Sequence, residues 1–147
     1  MGQQQLLLVI LVTIIVGIAT VVAINTFSSA AEGANLDAVR QDVGSIAASA
    51  QGYYIKPEML GGGGQTFTTM TFRNITFASD TISADGLTAG NQNGTYVITA
   101  RTADDFDIEA FPSSLDGYEH GSGAGSQKLT ATATRDALSW TSNVPID

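Results

Sequence analysis

The chain contains no cysteine, three prolines, one histidine, one tryptophan and only six basic side chains among its 147 residues. Without thiols there is no disulfide framework, no thiolate nucleophile and no cysteine-ligated zinc or iron–sulfur site. Six basic residues against 14 acidic ones give a net charge of −8 with no basic cluster. Such a surface repels phosphate backbones, which excludes nucleic acid as a partner. The lone His120, in YEHGSGAGS, would have to serve any Ser–His–Asp triad by itself, and no serine-nucleophile motif accompanies it. It reads as a solvated loop residue. The glycines of GSGAGS and of Gly61–Gly64 fit neither phosphate-loop nor dinucleotide spacing, so they read as loop flexibility. Asp104, Asp105, Asp107, Glu109 and Asp116 carry the oxygen ligands calcium prefers, but they match no EF-hand spacing and read as a solvated acidic face. No catalytic residue, metal ligand or cofactor is expected.

Charge is also missing from one end of the chain. Leu6 to Ile24 is a run of 19 uncharged, largely apolar residues, and the first charged side chain is Glu32. At ~1.5 Å per helical residue the run spans ~29 Å, against a bilayer hydrocarbon core of ~30 Å. A transmembrane helix is therefore expected. A cleavable secretory signal has a shorter apolar core of ~7 to 15 residues behind a basic flank, whereas no Lys or Arg precedes Arg40. Leu6 stands where N-myristoylation needs Ser or Thr. Orientation cannot be read from flanking Lys and Arg, although a polar domain after the span fits a single-span anchor with its N-terminus inside.

The apolar run has no proline behind it until Pro57. Leu36, Val39, Val43, Ile46, Ala50 and Tyr53 recur at spacings of three and four, forming a helical stripe with Asp37, Arg40, Gln41 and Asp42 largely off it. Gly33 and Gly44 each cost a helix about 1 kcal/mol, but the simplest reading is one helix from about Gln3 to Tyr54, ~78 Å long. Lys56-Pro57 stops it, because the residue before proline is biased out of the helical region. The stripe is expected to dock on a sheet.

After GGGGQ at Gly61–Gln65, read as a flexible break, the period changes to two. Tyr96, Ile98 and Ala100 share one parity, as do Phe106, Ile108 and Ala110, with Thr102–Asp104 at hairpin length between the two runs. Leu129, Ala131 and Ala133 alternate with threonines, and Leu138–Thr141 follows a turn. TFTTMTFRNITF, residues 66–77, is strand-like in composition with a bulge or break near Arg73 and Asn74. Asp80–Gly94 and Ser113–Ser126 read as loops. The expected class is α+β: a long N-terminal helix on one face of a small antiparallel sheet whose other face is threonine-rich and solvated. The segments are residues 1–27, a transmembrane or filament-core helix; 28–56, its amphipathic continuation; and 57–147, a β-rich head.

QQQLLLVILVTIIVGIATVVAINTF and AVRQDVGSIAASAQGYYIKP resemble the apolar and amphipathic halves of the N-terminal helix of type IV pilin-like proteins, the subunits of type IV pili, secretion pseudopili and archaeal filaments. QKLTATATRDALSW is similar to a strand pair of pilin heads. The resemblance implies a structural subunit of an extracellular helical filament. Leu6, Leu7, Leu8, Ile10, Leu11, Ile14, Ile15, Gly17, Ile18 and Val21 would pack in its core, with Gly17, Thr13 and Thr20 where neighbouring helices approach. Its partners would be copies of itself, the cytoplasmic membrane before assembly and the pilus assembly machinery, and its destination the cell surface. Leader cleavage after Gly2 would make Gln3 the first residue. The family carries a glutamate at the fifth mature place. Here that place holds Leu7 counted from Gln3, or Gln5 counted from Met1, so no carboxylate is available there. A minor pilin or secretion pseudopilin is the alternative within the family, and a monomeric membrane-anchored extracellular binding domain is the alternative outside it. Asn74-Ile-Thr and Asn93-Gly-Thr satisfy the N-glycosylation sequon.

Overall fold

The computed structural model describes residues 2–123 and 127–146. It has one long helix, α1 (Gly2–Ile55), then a single 3-10 turn (Glu58–Leu60) and six strands: β1 (Thr81–Ile82), β2 (Thr88–Gly90), β3 (Gly94–Arg101), β4 (Asp105–Pro112), β5 (Lys128–Thr134) and β6 (Leu138–Ile146). The class is α+β, as expected. The chain divides into two compact units, Met1–Ala34 and Asn35–Asp147, the boundary falling at a residue of α1. In the first, the described residues are all helix and all exposed.

In the second unit the strands form a meander in the order β1-β2-β3-β4-β5-β6, every neighbour antiparallel. The core follows from the sequence periods. Val39, Val43, Ile46, Ala47, Ala50 and Tyr53 of α1 are buried together with Tyr96 and Ile98 of β3, Phe106, Ile108 and Ala110 of β4, and Leu129, Ala131 and Ala133 of β5. Each large apolar side chain so buried stabilises the fold by roughly 1.5–3 kcal/mol before entropy is counted. Leu36, Leu138 and Trp140 are half-buried against this cluster. The opposite parity of β4 is acidic and partly exposed: Glu109 pairs with Lys128 at 2.7 Å, and Asp107 accepts from the Thr132 hydroxyl at 2.6 Å.

Four expectations need correction. Ala100 does not share the buried face of Tyr96 and Ile98 but is exposed, because the β3–β4 register shifts between Ile98 and Ala100 and resets the parity. Residues 66–77 form no strand. Their threonines bond locally, Thr66 to Thr68 and Thr71 to Asn74, offering the backbone turns instead of a ladder. The segment still plugs the core: Phe67, Met70, Phe72 and Ile75 are buried, and Phe67 lies 4.8 Å from Tyr54 and 5.1 Å from Phe106, ring centre to ring centre. Asp80–Gly94 is not all loop, since it contains the short strands β1, at the sheet edge, and β2 beside it. Residues 113–123 are turns, while 124–126 of that expected loop lie outside the described residues.

The fourth correction concerns the glycine run. Residues 61–65 are a tight cap on the end of α1, not a flexible break. The N–H groups of Gly63, Gly64 and Gln65 donate to the carbonyls of Tyr53, Lys56 and Tyr54 at 2.8, 3.0 and 2.9 Å. These are carbonyls a helix end leaves without partners. A Cβ at Gly62 would stand 2.1 Å from the Lys56 carbonyl oxygen, and one at Gly63 would stand 2.2 Å from that of Thr66. Only glycine allows this approach. Inside α1 the opposite holds, for a Cβ at Gly44 meets nothing within 4 Å. Gly63→Ala is expected to destabilise the head by ~2 kcal/mol or more through strain, and Gly44→Ala to stabilise the helix by up to ~1 kcal/mol. Thermal melts of the full chain in detergent, followed by circular dichroism, check both signs; equal, small shifts would contradict the cap.

Candidate functional site

Two features stand out, one on each unit. On the first, Leu6, Leu7, Leu8, Ile10, Leu11, Ile14, Ile15, Ile18 and Val21 are 49% to 66% exposed, and Phe27 is 78% exposed. A Cβ at Gly17 would meet nothing within 4 Å. The hydroxyls of Thr13, Thr20 and Thr26 donate to the carbonyls of Val9, Val16 and Val22, four residues back, at 2.7, 2.8 and 2.9 Å. Their hydroxyls are thereby satisfied within the helix, so from Leu6 to Ile24 the outward surface is apolar on every side. Gly2 and Gln3 lie in the first turn, both exposed. Among the described residues this is the one helix long and apolar enough to cross a membrane, and its most apolar stretch is not buried at all.

On the second unit, the helix is registered on the sheet by a carboxylate that the stripe analysis left aside. Asp42 Oδ2 accepts hydrogen bonds from the Tyr96 hydroxyl at 2.6 Å, Asn93 Nδ2 at 2.8 Å and Asn91 Nδ2 at 2.9 Å. About two turns earlier, Asn35 Nδ2 donates to the Asn93 carbonyl at 2.9 Å and to Ser113 Oγ at 3.1 Å, and Asn35 Oδ1 accepts from Ser114 Oγ at 2.8 Å. Asn91 Oδ1 closes its own turn by accepting from the N–H groups of Asn93 and Gly94. Burial, and then the hydrogen bond to Asp42, push the Tyr96 phenol well above its ordinary value, so it stays protonated and donating. The signal that could have revealed this site is the N-x-N turn (Asn91, Asn93) placed just before a strand carrying a buried tyrosine.

The other singled-out residues are dispersed. Asn74 is exposed, with Oδ1 accepting from Thr71, whereas Asn93 Nδ2, the atom a glycan would occupy, is committed to Asp42. His120 bridges its loop to the start of the sheet: Nε2 meets Asp80 Oδ1 at 3.0 Å, and Nδ1 meets the Tyr118 hydroxyl at 2.9 Å. That hydroxyl reaches Thr95 Oγ1 at 3.2 Å, which also accepts from the Gly121 N–H. The chain of contacts closes on its own loop, which gives it a stapling role. No group of three or more His, Asp or Glu side chains able to hold a metal ion occurs among the described residues. A shallow groove of about 200 Å³ on the outer sheet face is lined by Thr99, Asp107, Glu109, Thr130, Thr132 and Thr141.

No protein-family model, no curated protein and no solved structure matches this chain. The functional reading therefore stands on the molecule itself.

Asp42→Ala is expected to lower head stability by ~2–3 kcal/mol, because the buried Tyr96 hydroxyl loses its acceptor. A phenol whose folded pKa exceeds the unfolded value of ~10 contributes stability that is complete below that value and declines above it, by about 1.4 kcal/mol per pH unit. Urea titrations from pH 8 to 11.5 are expected to show this decline in the wild type and to lose much of it in Tyr96→Phe. Identical profiles would remove Tyr96 from the linkage.

Proposed function

We propose that the chain is the structural subunit of an extracellular helical filament, a type IV pilin-like protein. The observation that carries the reading is that α1 leaves its apolar side chains exposed up to Phe27 yet continues, as the same helix, into the core at Val39. A helix apolar all round is stable only in lipid or among other such helices. A tether would need just the first environment, whereas a filament core made of copies of this helix supplies the second. Before assembly the apolar segment resides in the cytoplasmic membrane, and the assembly machinery transfers it to a core made of copies of itself. Exchanging lipid for Leu and Ile contacts is close to neutral, so side-chain fit and contacts between heads supply the drive. The heads, acidic and rich in threonine, form the outer surface. A minor or pseudopilin role uses the same geometry at low copy number, and abundance in the filament separates the two.

Electron microscopy of the material sheared from source cells, with mass spectrometry of its proteins and their N-termini, is the test. Filaments made chiefly of this chain are expected, and the first residue observed tests cleavage after Gly2. The chain as a membrane-bound monomer with no filaments would favour the anchored binding domain instead. Ile14→Asp places a charge in the span at a cost of about 2.5–3.5 kcal/mol in membrane insertion and is expected to abolish filaments. Normal filaments from that variant would sink the bundle.

A further inference from the structure

The chain holds two sequons, Asn74-Ile75-Thr76 and Asn93-Gly94-Thr95, and the fold treats them oppositely. A glycan transferase reads such a site through two side chains, the acceptor amide and the hydroxyl two residues on. In the second sequon both are spent. Asn93 Nδ2 is held by Asp42, Thr95 is 0% exposed, and its Oγ1 contacts the Tyr118 hydroxyl and accepts from the Gly121 N–H. The backbone between them is walled in. Gly94 and Thr95 lie opposite Pro112 and Phe111 in the sheet, and a Cβ at Gly94 would stand 2.4 Å from the Phe111 carbonyl oxygen.

The first sequon has the reverse pattern. Asn74 and Thr76 are both exposed, while Ile75 between them is buried in the core cluster. The backbone is pinned on either side: the Asn74 N–H donates to the Thr71 carbonyl at 3.0 Å, and the Thr76 carbonyl accepts from Ser49 Oγ of α1 at 2.7 Å. Asn74 Oδ1 accepts from Thr71 Oγ1 at 3.1 Å, and Nδ2 has no partner among the described residues. The two groups a transferase reads are thus presented on a fixed turn, and the one it ignores is the anchor.

We infer that Asn74 carries an N-linked glycan and Asn93 does not. The inference goes beyond the filament reading and shares with it only a head outside the cytoplasmic membrane. The donor is an oligosaccharide carried on a lipid phosphate. Asn74 Nδ2 bonds to the anomeric carbon of the first sugar, the bond from that carbon to the phosphate oxygen breaks, and the lipid phosphate leaves with the electron pair. The amide gives up one proton to a base of the transferase, and nothing is oxidised or reduced. Timing does not alter the choice. After folding only Asn74 is accessible, and before folding a glycan on Asn93 would have to be housed at the half-buried clamp of Asp42, so chains carrying it would not complete the head.

Mass spectrometry of the full chain purified from source cells tests this. Trypsin would leave both sequons on one peptide, residues 74–101, so an endoproteinase that cuts at aspartate is used to part them at Asp80 and Asp85. A sugar mass is expected on the peptide holding Asn74 and none on that holding Asn93. Asn74→Gln and Thr76→Ala, expressed in the same cells, are each expected to lose the whole excess while the head melts as in the wild type. An excess that survives Asn74→Gln but not Thr76→Ala would be linked to the threonine oxygen and would overturn the inference. So would a sugar on Asn93, or a wild-type mass equal to that of the bare polypeptide. Filaments built from the bare chain would leave the filament reading intact, whereas a glycosylated chain that forms no filaments would remove that reading and keep this one.

Discussion

The folded unit depends on burial of one helical stripe. Val39, Val43, Ile46, Ala47, Ala50 and Tyr53 close the inner face of a sheet that no other α-helix among the described residues covers. An antiparallel sheet can leave one face to water, but it cannot leave both faces apolar. Remove the stripe and Tyr96, Phe106, Ile108 and Leu129 would face solvent together. Burial alone does not choose a register along the helix, since apolar contact is non-directional. Asp42 supplies the direction. It gathers Tyr96, Asn91 and Asn93 on one oxygen, so that a shift by a turn would strand a buried phenol and a carboxylate at once.

The same helix faces a different physical problem before Asn35. Its apolar side chains cover nothing, and its threonine hydroxyls are turned inward to the backbone. From Leu6 to Ile24 no charge interrupts that surface, which suits a low-polarity environment and discriminates poorly between lipid and protein. Under the filament reading, specificity must then come from shape along the helix and from the charged, patterned heads.

How much could be read in advance varied with the kind of signal. Long periodic segments were legible: the stripe of α1 and the alternation in β4 and β5 follow directly from which residues must be hidden. Local competition was not. Residues 66–77 have strand composition, yet threonine side-chain bonds and scattered core contacts hold them as turns. The glycine run looked like slack, yet at Gly62 and Gly63 it lies too close to the Lys56 and Thr66 carbonyls for any side chain, because glycine permits both outcomes and only the partner decides. Asp42 lay off the apolar stripe and was invisible to a periodicity argument, since its partners are about 50 residues away in the chain.

By itself the sequence determined the elements whose cause is local: an uncharged run long enough to cross a bilayer, an amphipathic continuation ended by proline, and alternating strands, all without a thiol. Only the tertiary structure decided which polar groups meet. It joined Asp42 to Tyr96, occupied Asn93 while leaving Asn74 exposed, folded the glycine run onto the helix end, and left Lys56 as the one basic side chain without a partner among the described residues. The division has a physical reason. Hydrophobic burial is proportional to area and leaves a periodic trace along the chain, whereas hydrogen bonds and ion pairs depend on distance and angle between residues that only the completed fold brings together.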